Sequence, residues 1–198
     1  MNRAETAVVK APSRVLFLTV GDRANPGTRL RAMAYRPYLE DRGLGVEALV
    51  PIGVDPNRLR RRWGLRPVEL VRDLAAASRA EVVVVYRKTF PGVTARLLRR
   101  VASKVVYEYD DAVYLPSPDE PQSGKAKRRY RRNFQATVAA ADLISAGNDH
   151  LAEAGPSGRT VVLPTGVDTG IFKPAEGGGP RERCVLGWIG TAGNLVQL

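Results

Sequence analysis

Short, almost uninterrupted runs of β-branched and aliphatic residues recur along this chain, with helical stretches between them. Apolar runs of this length are typical of strands buried on both faces. Such strands alternating with helices predict an α/β fold, a doubly wound and mostly parallel sheet. The predicted strands cover residues 14–20, 45–50, 81–86, 104–109, 143–146 and 160–163.

Helices are predicted over 28–42, 67–79, 93–102 and 125–140, with a helical turn over 148–154. Thr28 suits the cap of the first helix. Pro37 lies inside that helix, where a missing donor costs up to about 3 kcal/mol, so a kink or a break is predicted there. Ligands bind beyond the carboxyl ends of strands in such sheets. The loops of interest are therefore 21–27, 87–92, 110–124 and 164–168.

The chain divides by composition into four parts. Residues 1–13 are predicted as a flexible tail and 14–175 as the main domain. The Gly-rich segment 176–182 is typical of a linker. Residues 183–198 begin a second unit with the strand CVLGWIG and a Gly-bearing turn. A strand and a turn without partner elements cannot bury their apolar side chains. This second unit is therefore expected to be only the truncated start of a domain.

The positive net charge of the chain bears on which kinds of molecule it can bind. Lys and Arg number 31 against 20 Asp and Glu, a net charge of +11, and they cluster in 58–62 (RLRRR), 96–104 and 125–132 (KAKRRYRR). This excess of positive charge is compatible with three kinds of partner: nucleic acid, an anionic membrane surface and phosphorylated small molecules. The simplest alternative is that the basic residues lie on solvated helix faces and bind nothing. Only Trp63 and Tyr130 accompany the basic runs, which weighs against nucleic acid.

The counts of cysteine and histidine exclude two kinds of structural cross-link. One Cys and one His cannot supply a disulfide framework or a Cys/His zinc site. Cys184 is interpreted as an inert core residue and His150 as a surface or packing residue. No apolar run approaches the length of a membrane span, and residues 15–20 are too short for a signal-peptide core. The expected location is the cytoplasm.

The strand-end loops hold the candidate site residues. The chain has no P-loop, no GxGxxG after its first strand and no GxSxG elbow. Arg87 and Lys88 follow one strand and suit phosphate. Asp110 and Asp111 follow the next and could orient sugar hydroxyls or act as acid and base; an Asx-type turn is the alternative. One carboxylate pair does not guarantee the oxygen ligands of a hard cation, so no metal is predicted.

Four segments carry a family resemblance. Residues 164–174 (PTGVDTGIFKP) resemble the P-x-G-V-D-x-x-x-F-x-P element near the domain junction of GT-B glycosyltransferases of the group 1 (family 4) retaining class. Residues 185–195 (VLGWIGTAGNL) resemble the opening strand and Gly-rich turn of that family's second domain. Residues 107–113 (YEYDDAV), followed by a basic helix, and 141–151 (ADLISAGNDHL) resemble its first domain.

The resemblance implies a Rossmann-like GT-B N-terminal domain followed by the start of a second one. It implies retaining transfer from a nucleotide-sugar donor to a sugar, a lipid-linked compound or another acceptor, with no cofactor and no essential metal. Donor contacts are implied for Gly21, Gly27, Arg29, Gly190, Thr191, Gly193 and Asn194. Acceptor contacts are implied for Arg87, Lys88, Asp110 and Asp111.

Two departures from the family pattern shape the expectation. The first loop reads GDRANPG where many relatives have adjacent glycines. The family's basic residue and Glu pair, which hold the donor diphosphate, would follow residue 198. Electrostatic stabilisation of a leaving group is usually the largest catalytic contribution, so this chain alone is expected to be inactive.

Anionic lipid headgroups on the inner face of the membrane are an expected docking partner. The alternative function is a non-catalytic Rossmann-like module that binds a nucleotide, a phosphosugar or a partner protein.

Overall fold

The computed structural model describes residues 14–52, 66–117, 120–174 and 187. All six predicted strands are present. Their bounds are β1 Arg14–Leu18, β2 Gly45–Leu49, β3 Val82–Tyr86, β4 Lys104–Tyr109, β5 Leu143–Ala146 and β6 Thr160–Val162.

The helices alternate with these strands. They are α1 Pro26–Arg31, a 3-10 turn at Met33–Tyr35, α2 Arg36–Glu40, α3 Arg66–Ala77, α4 Gly92–Val101, α5 Gly124–Ala140 and α6 Asp149–Ala152. Ser123 caps α5 by accepting a hydrogen bond from the Ala126 backbone N–H at 3.2 Å.

The six strands form one sheet in the order β2-β1-β3-β4-β5-β6, and every neighbouring pair is parallel. Right-handed crossovers place α3, α4 and α5 in one layer, where α3 contacts α4 and α4 contacts α5. The segment from α1 to α2 covers the other face. The predicted doubly wound sheet is therefore confirmed.

Two apolar clusters hold these layers on the sheet. Beneath α3–α5 the fully buried side chains include Leu18, Val83, Val85, Val105 and Ile144. Under α1 and α2 a smaller cluster of Val15, Phe17 and Ala32 is buried. The near-continuous apolar character of the strands reflects this cover on both faces.

The helix predicted over 28–42 is broken, as Pro37 suggested. It divides into α1, the 3-10 turn and α2, and Pro37 lies in the first turn of α2. A proline is tolerated there because the first-turn N–H groups of a helix have no intrahelical partner. The break therefore precedes Pro37 and is spread over the 3-10 turn.

The chain divides into two compact units, residues 1–166 and 167–198. In the second unit the Asp168 carbonyl accepts hydrogen bonds from the Ile171 and Phe172 backbone N–H groups at 3.1 and 2.8 Å. The predicted tail 1–13, the linker 176–182, the basic run 58–62 and Cys184 lie outside the described residues, as does 183–198 apart from Gly187. Among the helices described, none is long and apolar enough to cross a membrane.

Candidate functional site

Polar side chains gather at the carboxyl edge of the sheet, next to the point where the strand order changes direction. From β1 the chain crosses to β2 on one side and later returns to β3 on the other. The loops after β1 and β3 therefore part from each other at this edge. A crevice of this kind is the usual ligand site of a doubly wound sheet.

The loop after β1 is organised by side-chain hydrogen bonds. Thr19 Oγ1 and Thr28 Oγ1 both donate to the Gly21 carbonyl, at 2.8 and 3.1 Å. Asn25 caps α1, because its Oδ1 accepts from the Thr28 backbone N–H at 3.0 Å. The Asp22 carbonyl accepts from the Asn25 N–H at 3.1 Å. These bonds fix the GDRANPG loop, which contains no adjacent glycines.

Position 27 requires glycine, because Tyr86 lies too close to leave room for a Cβ atom there. A Cβ atom at Gly27 would lie 1.9 Å from Tyr86 Oη and 3.0 Å from its Cζ. Tyr86 is fully buried, and its hydroxyl donates to the Asp110 carboxylate at 3.2 to 3.3 Å. Burial raises the pKa of Tyr86, so the hydroxyl keeps its proton. The glycine thus allows α1 to pack directly on the end of β3.

Gly27→Ala is expected to lower the free energy of unfolding by about 1–3 kcal/mol, because either α1 or the buried Tyr86 must move. Urea unfolding measures the change. Gly92→Ala is the matched control, since it also lies in the first turn of a helix and its added Cβ would meet nothing within 4 Å. Equal losses in both variants would contradict the packing role of Gly27.

A tight turn at Arg87 follows β3. The Lys88 backbone N–H donates to the Tyr86 carbonyl at 2.7 Å, which makes a γ-turn, and Arg87 has a φ of 56°. The Arg87 N–H donates to the Glu108 carbonyl at 2.8 Å and so ties the turn to β4. A positive φ at the centre of a γ-turn is rare and strained outside glycine, and such strain is concentrated at functional sites.

The turn directs the Arg87 side chain to the two carboxylates that follow β4. Arg87 Nε lies 3.7 Å from Asp110 Oδ1, and Arg87 Nη2 pairs with Asp111 Oδ2. The Asp111 side chain is 59% exposed, whereas Arg87 and Asp110 are partly buried. Three of the four predicted acceptor residues therefore meet in one cluster that solvent reaches. A planar guanidinium beside an exposed carboxylate can bind an anionic group and orient hydroxyls.

Lys88, the fourth predicted acceptor residue, is buried against α3. Its ammonium lies 3.2 Å from Glu69 Oε1 and 3.1 Å from Asp73 Oδ2, and all three side chains are buried. Glu69 Oε2 also accepts from the Ile52 N–H at 3.3 Å. Lys88 thus anchors the loop after β3 to the helix layer, and the structure does not bring its amine into the Arg87 cluster.

Beneath the cluster lies a buried ion pair between Arg31 of α1 and Glu108 of β4. Arg31 Nε contacts Glu108 Oε1, Nη1 donates to Thr165 Oγ1 at 2.8 Å, and Nη2 donates to the Leu163 carbonyl at 2.7 Å. One guanidinium therefore joins α1, the centre of the sheet and the segment that follows β6.

Glu108 retains an oxygen without a partner. Within the described residues, Glu108 Oε2 and Ser145 Oγ are buried and make no hydrogen bond. The two residues are neighbours in register on β4 and β5. Burial raises the pKa of Glu108 to about 7 against the opposing effect of Arg31. The floor of the site is thus polar, buried and able to change its charge near neutral pH.

Tyr86, Arg31, Glu108 and Ser145 were not predicted from the sequence as site residues. Glu108 carried a signal, since it is the one acidic residue in the strand KVVYEY. Arg31 carried none, because nothing in the sequence separates it from the many exposed arginines. Its burial follows from the break in the helix, a tertiary feature.

The remaining predicted donor residues divide into two groups. Gly21 is buried in the first loop, and Arg29 is exposed, with its guanidinium donating to the Arg23 carbonyl at 3.1 Å. Gly190, Thr191, Gly193 and Asn194 lie outside the described residues. No group of three or more His, Cys, Asp or Glu side chains in the described part of the chain is arranged to hold a metal ion.

No protein-family model matches the chain, and no curated protein matches it in sequence. Among solved structures, an alpha-glucosyltransferase in complex with UDP and a 13-mer DNA containing an HMU base matches with a TM-score of 0.51 and 13% identity, over 78% of this chain and 43% of that one. HepE of Anabaena, in complex with UDP, matches with a TM-score of 0.43 and 14% identity, over 83% and 47%. MurG of Acinetobacter baumannii matches with a TM-score of 0.36 and 14% identity, over 79% and 47%.

The likeness to the alpha-glucosyltransferase is a likeness of fold. It confirms a Rossmann-like domain of the kind found in GT-B glycosyltransferases. The chain spans less than half the length of these solved structures.

Proposed function

We propose that this chain is the acceptor-side part of a retaining glycosyltransferase that transfers a sugar from a nucleotide-sugar donor. The observation that carries the proposal is the cluster of Arg87, Asp110 and Asp111 at the carboxyl edge, beside the change in strand order. The fold likeness to an alpha-glucosyltransferase solved with UDP supports this class of donor. No metal and no cofactor enter the proposed reaction.

In this proposal the acceptor binds against the Arg87 cluster. Asp111 is exposed and accepts a hydrogen bond from an acceptor hydroxyl, while Arg87 holds both carboxylates in place. Asp110 is held by the Tyr86 hydroxyl, which donates a hydrogen bond to its carboxylate. Lys88 acts as a positioning residue, because its ion pairs with α3 hold the turn that presents Arg87.

The donor is proposed to lie along the first loop. Gly21 and Gly27 shape that loop, and the exposed Arg29 guanidinium is available to the donor phosphates. Gly190, Thr191, Gly193 and Asn194 are proposed to supply further donor contacts from the second unit. The groups that stabilise the departing diphosphate are assigned to residues after 198, so residues 1–198 alone are expected to turn over no donor.

Asp111→Asn and Arg87→Gly test the acceptor role in the intact native protein. Loss of a hydrogen bond to a charged group corresponds to about 1.5–3 kcal/mol, so kcat/KM is expected to fall about 10- to 100-fold. Glycine at position 87 accepts the positive φ and removes the whole side chain, including its guanidinium. Release of nucleoside diphosphate from a panel of nucleotide sugars, with and without acceptors, measures the rate.

Asp41→Asn is the matched control, because Asp41 is an exposed carboxylate at the end of α2. An unchanged kcat/KM in Asp111→Asn and Arg87→Gly would contradict the acceptor site. Transfer by residues 1–198 alone, well above a buffer control, would contradict the assignment of the donor groups. Nucleotide binding by the intact protein without transfer from any donor would favour the non-catalytic module.

A further inference from the structure

The outer face of α4 carries an apolar stripe that the described residues leave uncovered. Val93, Leu97 and Val101 recur at four-residue spacing and are 62%, 39% and 37% exposed. Ala95 and Leu98 of the same helix are buried against the sheet. A surface helix of a globular domain normally buries its apolar residues on one side only, so a second apolar side indicates a contact surface.

Arginines flank this stripe. Arg96 and Arg100 are exposed and stand beside it at three-residue spacing from Val93 and Leu97. Arg99, by contrast, pairs with Asp142 at 3.2 Å. The outer side of α4 thus combines exposed apolar side chains with cations, as in helices that lie in the interface of a membrane.

The neighbouring helix α5, which packs against α4, extends the positive surface. Its first nine residues contain six exposed cations, and no carboxylate of the described residues forms a salt bridge with any of them. These cations are Lys125, Lys127, Arg128, Arg129, Arg131 and Arg132. The first turn of α5 has no acidic residue, although the helix dipole favours acids there and disfavours cations. The charge therefore does not serve the stability of the helix.

An open groove of about 680 Å³ runs along this part of α5 and has room for an anionic headgroup. Four cations, Lys125, Arg128, Arg129 and Arg132, line it together with the one carboxylate of Glu120. The spacing of the cations puts them on one side of the helix. Tyr130 also lines the groove, and its hydroxyl bonds the Glu120 carboxylate. Its ring lies beneath the Arg129 guanidinium, 5.3 Å from ring centre to Cζ, so a cation covers one face of the ring.

We propose that the outer faces of α4 and α5 form a docking surface for an anionic lipid bilayer. Headgroup phosphates bind the α5 cations, and Val93, Leu97 and Val101 enter the boundary between headgroups and acyl chains. Charge complementarity favours an anionic partner, and the apolar stripe favours a bilayer over a nucleic acid, whose backbone offers no apolar partner to it. This docking is independent of the proposed transfer reaction.

Sedimentation with vesicles of phosphatidylcholine, alone or mixed with phosphatidylglycerol, tests the surface. The wild-type chain is expected to bind only the mixed vesicles and to lose affinity as salt is raised. The triple variant Arg128→Gln/Arg131→Gln/Arg132→Gln is expected to reduce the partition coefficient at least about tenfold. Val93→Ser is expected to reduce it several-fold while leaving the dependence on salt unchanged.

Arg14→Gln/Arg36→Gln/Arg42→Gln is the matched control, because it removes the same charge from exposed positions outside α4 and α5. After correction for the lower net charge, its partition coefficient is expected to lie within about twofold of the wild-type value. Equal loss in both triple variants, equal binding to neutral vesicles, or tighter binding to RNA than to mixed vesicles at the same salt would overturn the proposal. Far-UV circular dichroism checks that each variant is folded.

Discussion

Replacement of Arg31 by Met is expected to lower the free energy of unfolding by about 3–5 kcal/mol near pH 8. Arg31 is buried and is the cation paired with Glu108. Its other nitrogens bond Thr165 and the Leu163 carbonyl. Met has a similar length but no charge, so the variant leaves a buried carboxylate without its counter-ion and a buried carbonyl without its donor.

The effect should depend on pH through Glu108. Its folded pKa of about 7 lies above the ordinary value of 4.5, so protonation favours the native state. This contribution is fully present below about pH 4.5 and is lost as pH rises through 7, by up to about 1.4 kcal/mol per pH unit. Without Arg31 the pKa rises further, so the deficit of the variant should grow from about pH 6 to about pH 9, where Glu108 ionises in the folded wild type but stays protonated in the folded variant.

Two further variants separate charge from packing. Arg29→Met lies on the same helix but removes an exposed guanidinium, so its unfolding free energy should stay within about 0.5 kcal/mol of wild type. Glu108→Gln added to Arg31→Met should recover part of the loss at about pH 8 and remove its pH dependence. Chemical denaturation across this pH range measures all of them. A pH-independent deficit would show that Arg31 contributes through packing alone.

Replacement of Lys88 by Met is expected to cost about 3–5 kcal/mol, at the lower end because Asp73 keeps Arg72 as a partner at 2.7 Å. The change removes the ammonium shared by Glu69 and Asp73, two carboxylates one helical turn apart on α3. It should also loosen the turn at Arg87. Native-state hydrogen exchange of the Lys88 and Phe90 amides, together with urea unfolding, measures both effects.

Lys104→Met is the matched control for this variant. Lys104 is two-thirds exposed and lies 4.0 Å from Asp142, so its loss should change the unfolding free energy by less than about 1 kcal/mol. If Lys88→Met were no more destabilising than this control, the buried ion cluster would not anchor the loop. Both variants replace a lysine by methionine in the same protein, so their unfolding free energies can be compared directly.

The strands were predictable because each is an apolar run bounded by polar or Gly-bearing segments, and burial on both faces produces that pattern. The bounds of β4 and β5 agree with the prediction to the residue. The loops at the carboxyl edge were also predictable, because their position follows from the class of sheet. Arg87, Asp110 and Asp111 were found in this way.

The roles of Lys88 and Arg31 were not predictable, for a physical reason. Lys88 follows Arg87 directly, and only the γ-turn decides that one side chain faces the carboxylates after β4 and the other faces α3. Arg31 is buried because α1 ends at this residue and the 3-10 turn that follows redirects the chain. Both depend on backbone geometry that the residue types alone do not determine.

Strand order also bears on how the chain can fold while it is being synthesised. β1 and β2 can pair first, β3 then adds to the free edge of β1, and each later strand adds to the strand made just before it. No strand has to be inserted between two that are already paired. A chain leaving the ribosome can therefore extend its sheet one strand at a time at one edge, while β2 forms the other edge throughout.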